Sequence, residues 1–152
     1  MDELKIVNEN DTAQYIVIKI DNEQFGINIS VVDNIVKMTH VTRVPKVASY
    51  LKGVINLRGE IIPVMSLRLK MGLKEDEITK ATRIIILKLE QHGKIGFIVD
   101  EVKEVITLES SQIEKVATDT SADKVTFVQS VGKCGSDLIS ILDLNSLTLE
   151  KE

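Results

Sequence analysis

Two patterns in this sequence occur twice and in the same order, and that repetition limits the available folds more than any composition does. A displacement of 70 residues carries Gly26, Ile27, Ile29, Val32, Ile35 and Val36 onto Gly96, Phe97, Val99, Val102, Val105 and Ile106. A displacement of 77 carries Val54, Glu60, Ile62, Val64, Met65 and Leu67 onto Val131, Asp137, Ile139, Ile141, Leu142 and Leu144. A recurring apolar pattern of this kind marks one supersecondary unit used twice. Units of roughly 65–70 residues bury too little surface to be robust alone, so the two are expected to pack on one another.

The unit is a β unit. Val and Ile make up about a quarter of the chain, and β-branched side chains favour pleated, half-buried surfaces. Short apolar or alternating runs recur as "QYIVIKI", "QFGINI", "EIIPVMSL", "RIIILKL", "KIGFIV", "FVQSVG" and "LISILDL". Between them stand breaks such as "DNEQ", "RGE", "EQHGK" and "CGSD", the polar or Gly-bearing joints of antiparallel hairpins. We read a mainly β fold of one domain, 1–152, made of two packed β-barrels, with halves at 14–75 and 82–149. A linker is expected at 71–82 and a polar loop or short helix at 109–124. Val31, Val32, Ile35 and Val36 follow the spacing of one helical face. That spacing predicts a helical turn capped by Ser30 with Asp33, and Asp100 takes the capping role in the second copy.

Composition removes several function classes. The net charge is -4 with 19 basic residues that form no stripe, and only five aromatic residues are present. Nucleic acid, which demands a basic footprint or stacking platforms, is not an expected partner. The apolar runs fall well short of the roughly 20 residues of a membrane span, and the acidic start "MDELKIVNENDTAQ" lacks the form of a secretory signal. A cytoplasmic location is the expectation. Cys134 is the single cysteine, which excludes an internal disulfide and reads as a small, partly buried apolar residue. His40 and His92 stand in turn-like settings without partners at metal-ligand spacing. The acid pairs Glu75 and Glu77, and Asp100 and Glu101, read as solvated charges. No nucleophile elbow, phosphate loop or dinucleotide fingerprint occurs. A binding module without cofactor or metal is therefore expected, not an enzyme.

Two groups of residues suggest where binding occurs. Arg58 stands alone in the apolar stretch "YLKGVINLRGEIIPVMSL". Gly59 permits a chain reversal beside it that lifts Arg58 to the surface, and Pro63 is expected at a sheet edge or bulge. The apolar turn offers a second group, because a small barrel has little room to bury it on every side. Ile35 and Val36 are assigned to the core. Ile29, Val32 and Val102 are assigned to a groove between the halves that suits an amphipathic helix.

The run "GVINLRGEIIPVMSL", preceded by "VTRVPKVASYLK", resembles the CheW-like family of bacterial chemotaxis coupling proteins. "QYIVIKIDNEQFGINISVV", "IGFIVDEVKEVI" and "FVQSVGKCGSDLISILDL" support it in the right order, so the resemblance covers residues 14–147. Its specific part is the combination of Asn56, Arg58, Gly59, Ile61, Pro63 and Val64 at fixed spacing. The resemblance implies two SH3-like antiparallel barrels. It also implies a non-enzymatic adaptor joining the cytoplasmic tip of chemoreceptors to the regulatory domain of the histidine kinase CheA at the membrane array, without inserting into the membrane. On that reading a receptor hairpin lies at Ile29, Val32 and Val102, and Asn56, Arg58 and Gly59 take part in receptor and kinase coupling. The kinase surface is not assigned, although exposed strand edges suit a partner of similar fold. Alternatives are a scaffold of the same fold in another signalling array and a small-molecule-binding double barrel. Two positions depart from the family pattern. Ser66 replaces a common Asp, which would remove an intramolecular partner of Arg58, and Asn34 replaces a common Glu.

Overall fold

A computed structural model describes residues 11–90, 93–115 and 127–144. Its elements are β1 (Thr12–Ile20), β2 (Glu23–Asn28), a 3-10 turn (Ile29–Val31), β3 (Val32–Lys37), β4 (Leu51–Leu57), β5 (Glu60–Ser66) and α1 (Leu67–Lys70). The second half supplies β6 (Arg83–Leu89), β7 (Gly93–Val99), β8 (Glu101–Glu109), a 3-10 turn (Ser110–Gln112), β9 (Ile113–Lys115), β10 (Val128–Cys134) and β11 (Asp137–Leu142). One sheet has the order β8-β1-β2-β11-β10-β9 and the other β3-β6-β7-β5-β4.

The duplication read from the sequence is present in this topology. Replacing β1, β2, β8, β10 and β11 by β6, β7, β3, β4 and β5 converts the first five places of the first order into the second, and β9 alone has no strand counterpart among the described residues. Register follows: Val17 opposite Gly26 becomes Ile86 opposite Gly96, and the parallel pair Ile141 with Gly26 becomes Val64 with Gly96. Even the irregularities repeat. β3 skips Asp33 in its pairing with β6, and β8 skips the equivalent Lys103 in its pairing with β1.

The barrels, however, do not follow the halves 14–75 and 82–149. Each half leaves its first two strands in one sheet and crosses over to place the rest in the other. The crossings fall at Ile29–Val31 and at Asp100. Apolar pattern identifies which strands are equivalent; it carries no label for the sheet in which each finds its partners.

This exchange produces three apolar layers. Ile16, Ile18, Ile20, Phe25, Ile27, Leu67, Ile85, Leu87, Ile95, Phe97, Val99 and Leu142 form one cluster drawn from both sheets. Ile55, Ile62, Val64, Ile84, Ile86 and Ile98 fill the second barrel, while Tyr15, Leu108 and Ile141 fill the first. Strands β1 and β6 are apolar on both faces because one face enters a barrel and the other enters the shared layer. Burial of each such side chain stabilises by about 1.5–3 kcal/mol, so the largest cluster makes the two barrels one folding unit. Gly26 and Gly96 leave room for this crowding: a Cβ at Gly96 would stand 2.9 Å from Ile84 Cγ2.

The predicted helical turn over residues 31–36 is instead a three-residue 3-10 turn followed by strand. Its cap is Asn28, whose side chain accepts from Ser30 N at 2.9 Å, in place of the expected Ser30. The bulge at Asp33 explains the misleading spacing. One extra residue restores Ile35 to the face of Val32, so both reach the shared layer while Val36 packs into the second barrel. Asp100 caps no helix, since β8 begins at the next residue. The segment 109–124 holds the second 3-10 turn and β9, and its remainder from 116 lies outside the described residues, as does His92.

Candidate functional site

Leu57 faces Glu60 across the β4–β5 hairpin, so Arg58 and Gly59 are its only loop residues. Their φ values, +53° and +86°, are both positive, the pattern of a type I′ turn. This turn matches the twist of the strands, and Gly59 enters it at no steric cost. Arg58 does not, because an L side chain in the left-handed region costs about 1–2 kcal/mol. Asn56 offsets part of that strain: its Oδ1 accepts a hydrogen bond from Gly59 N at 3.0 Å. The three residues named from the sequence thus form one device, in which Asn56 and Gly59 hold the turn that holds Arg58. Arg58 is exposed and has no ion-pair or hydrogen-bond partner among the described residues.

Pro63 lies on an interior strand, between β7 and β4, and at no bulge. Val54, its partner, directs its N–H and C=O to Thr42 at 2.8 Å each, which makes Val54–Pro63 a non-hydrogen-bonded pair. The missing Pro63 N–H therefore faces β7, whose ladder with β5 starts only at Val64. A local gap in the ladder tolerates the proline.

Ser66 is not a lost partner of Arg58. The whole of β5 separates the two, and the buried Ser66 hydroxyl donates to Asp76 Oδ2 at 2.6 Å while accepting from Leu69 N at 3.1 Å to cap α1. Asn34 turns its Oδ1 back onto Ile35 N at 2.8 Å, beside the bulge.

Ile29, Val32 and Val102 divide into two settings. Val32 and Val102 occupy equivalent places on β3 and β8, and both are half-buried against the shared layer. Ile29 is exposed and rims a shallow depression with Thr12, Ala13, Gln14, Asn28, Ser30 and Thr107. Sequence reading missed other exposed apolar residues, among them Ile61, Leu138, Ile78 and Val105, at 61%, 61%, 56% and 50% exposure. Ile61 and Leu138 are equivalent under the 77-residue displacement, a signal that was available in the repeat.

Charges are concentrated where the sheets cross. Arg68 donates from Nε and Nη2 to the two carboxylate oxygens of Asp100, at 2.9 and 3.0 Å, and also reaches Asp21. Asp21 N in turn donates to Asp100 Oδ2 at 2.9 Å. Asp100 is therefore no solvated charge: burial pushes its carboxyl up, yet the Arg68 and Asp21 hydrogen bonds outweigh this and hold it below the usual carboxylate range. Arg68 is held above its usual range by the bond to Asp100. The clamp joins α1, the β1–β2 turn and the crossing into β8. Nearby, burial raises the Asp76 carboxyl against the opposing bond from Ser66, and Glu75 pairs with Lys52.

A second cluster lies beside the Arg58 turn. Lys94 Nζ stands 2.9 Å from Glu60 Oε1 and 3.5 Å from Asp33 Oδ2, and the bond to Glu60 first, then Asp33, raises its ammonium above the usual range.

Among the described residues, no three His, Cys, Asp or Glu side chains are grouped to hold a metal ion. Cys134 is half-buried against the first barrel's cluster, as expected. No helix among the described residues is long and apolar enough to cross a membrane. What the surface offers is a strained arginine beside an exposed isoleucine, apolar residues at the crossings, and fixed charge pairs.

Comparison with known proteins agrees with this arrangement. The model of the CheW-like domain matches residues 14–152. The chain is 39% identical over 137 residues to the chemotaxis protein CheW of Bacillus subtilis, covering 90% of this chain and 86% of that protein. It is 33% identical to the CheW of Helicobacter pylori, covering 92% of this chain and 84% of that one. The crystal structure of the scaffolding protein TtCheW from Thermoanaerobacter tengcongensis superposes with a TM-score of 0.81 at 34% identity, over 89% of this chain and 91% of the other. With its two exchanged β-barrels and its N-x-R-G hairpin, the chain belongs to the CheW-like family, the coupling adaptors of chemotaxis signalling.

Proposed function

We propose that this protein couples the cytoplasmic tips of chemoreceptors to the regulatory domain of the histidine kinase CheA, in the cytoplasm and without turnover of its own. The observation that carries this reading is Arg58, an exposed cation without a partner among the described residues, kept in a left-handed conformation three residues before Ile61, which is 61% exposed. Strain of this kind persists where the surroundings over-determine it, and an arginine offers a directional fork to a carboxylate. Ile29, Val32 and Val102 receive an amphipathic receptor helix at the crossings. Individual contacts are modest, and simultaneous engagement of receptor and kinase multiplies them by making the second contact effectively intramolecular.

Arg58→Ala tests the reading. It is expected to leave the circular dichroism spectrum unchanged and to reduce co-sedimentation with receptor-containing membranes in the presence of CheA about tenfold, the scale of a charge-assisted hydrogen bond. Undiminished co-sedimentation by a folded variant refutes the role given to Arg58. Val32→Lys is expected to weaken binding of a receptor cytoplasmic fragment more than binding of the CheA regulatory domain, measured separately. Equal losses would count against the groove.

A further inference from the structure

We propose that Lys94 is a positioning residue that holds the Glu60 carboxylate away from Arg58, leaving the guanidinium available to a carboxylate on the partner. The inference rests on the reading of Arg58 as a coupling residue. Glu60 follows Arg58 by two residues, a chain reach of about 7 Å at most between Cα atoms. An acid so close is the natural intramolecular partner for an exposed arginine, whose fork suits a carboxylate better than an ammonium does. Yet Glu60 bonds Lys94 at 2.9 Å, and Arg58 has no partner among the described residues.

The strands explain why Lys94 can compete. Alternation puts Glu60 on the face of Ile62 and Val64, and Lys94 on the face of Ile98, all three apolar residues belonging to the second barrel's cluster. Lys94 is thereby set over the end of that cluster with Glu60 beside it. Asp33, the bulged residue of β3, stands 3.5 Å from Nζ on the other side and anchors the ammonium there.

The second half of the molecule provides an internal control. Displacement by 77 residues carries Arg58 onto Gly135 and Glu60 onto Asp137, while Lys94 corresponds to Gln24 under the 70-residue displacement. Both hairpins retain an acid at this place. Among the described residues, only the hairpin with an arginine in its turn has a lysine to occupy that acid.

The full-length chain is compared with Lys94→Met, Glu60→Gln, the double variant and Arg58→Ala. Lys94→Met is expected to weaken co-sedimentation with receptor-containing membranes and CheA about threefold, the scale of an exposed ion pair. Glu60→Gln is expected to match the parent, and the double variant to recover parental binding, because removal of the acid makes the lysine unnecessary. A double variant as weak as Lys94→Met would overturn the proposal, since Lys94 would then act through the partner or through packing. So would parental binding by Lys94→Met alongside a weakened Arg58→Ala. The Arg58 Nε–H signal in NMR spectra of the free protein supplies a readout independent of any partner. It is expected to shift in Lys94→Met and return in the double variant, and an unmoved signal also overturns the proposal. Undiminished binding by Arg58→Ala, with the NMR shift present, overturns the coupling role and leaves the charge sequestration itself supported.

Discussion

The hairpins β4–β5 and β10–β11 are copies of one another that differ at their tips. Leu57 faces Glu60 in one and Cys134 faces Asp137 in the other, so both close with two loop residues. Ile61 and Leu138 follow at the same 61% exposure. In the second hairpin Gly135, at φ +64°, is the only loop residue with positive φ, a pattern that belongs to the type II′ turn and requires only one glycine. The first has positive φ at both places and puts an arginine in one of them. A duplicated fold had an unstrained solution for this turn and uses it once. Closure of the hairpin therefore does not by itself require the strained version.

Exchanging residues between the copies breaks this comparison most severely at Gly53. Its counterpart at 77 residues is the buried Ser130, but Gly53 has φ +145° and a Cβ there would stand 2.0 Å from the Thr42 carbonyl oxygen. Gly53→Ser is expected to cost about 4 kcal/mol in urea unfolding, a large effect with a named backbone clash. The reciprocal Ser130→Gly should cost only about 1 kcal/mol.

Arg68→Met removes a clamp found at the crossing into β8. We expect a loss of about 2 kcal/mol near neutral pH, since Asp21 and Asp100 are left facing one another beside a partly buried site. The pH dependence follows from Asp100, whose folded pKa is depressed. Its contribution is present above the ordinary carboxylate pKa of about 3.9 and is lost as pH falls through the lower folded value. Wild-type stability should therefore decline below about pH 4 more steeply than that of Arg68→Met, and parallel acid profiles would count against the clamp.

The smallest effect sharpens the comparison best. Arg58→Gly gives the first turn a residue suited to its backbone, and it is expected to raise stability by about 1 kcal/mol while co-sedimentation with receptor membranes and CheA falls. A variant both less stable and weaker in assembly would show that Arg58 serves the fold.

Much of this was legible in the chain. Strand identity came from β-branched runs, the hairpin turn from Arg58-Gly59, and the duplication from the 70- and 77-residue displacements. The helical turn was misread because the bulge at Asp33 adds one residue to a period of two and imitates a helical spacing. Asp100 was misread because its partners, Asp21 and Arg68, lie 79 and 32 residues away, and no local pattern announces them.

The sequence by itself determined that two equivalent β units pack together and that Gly59 turns the chain so that Arg58 is lifted to the surface, because alternation and turn chemistry act over neighbouring residues. Only the tertiary structure decided which strands share a sheet, where β2 and β7 send their successors across, and that Lys94 holds Glu60. Those outcomes depend on competition among distant partners of similar apolar character or charge, and that competition is settled when the three layers pack.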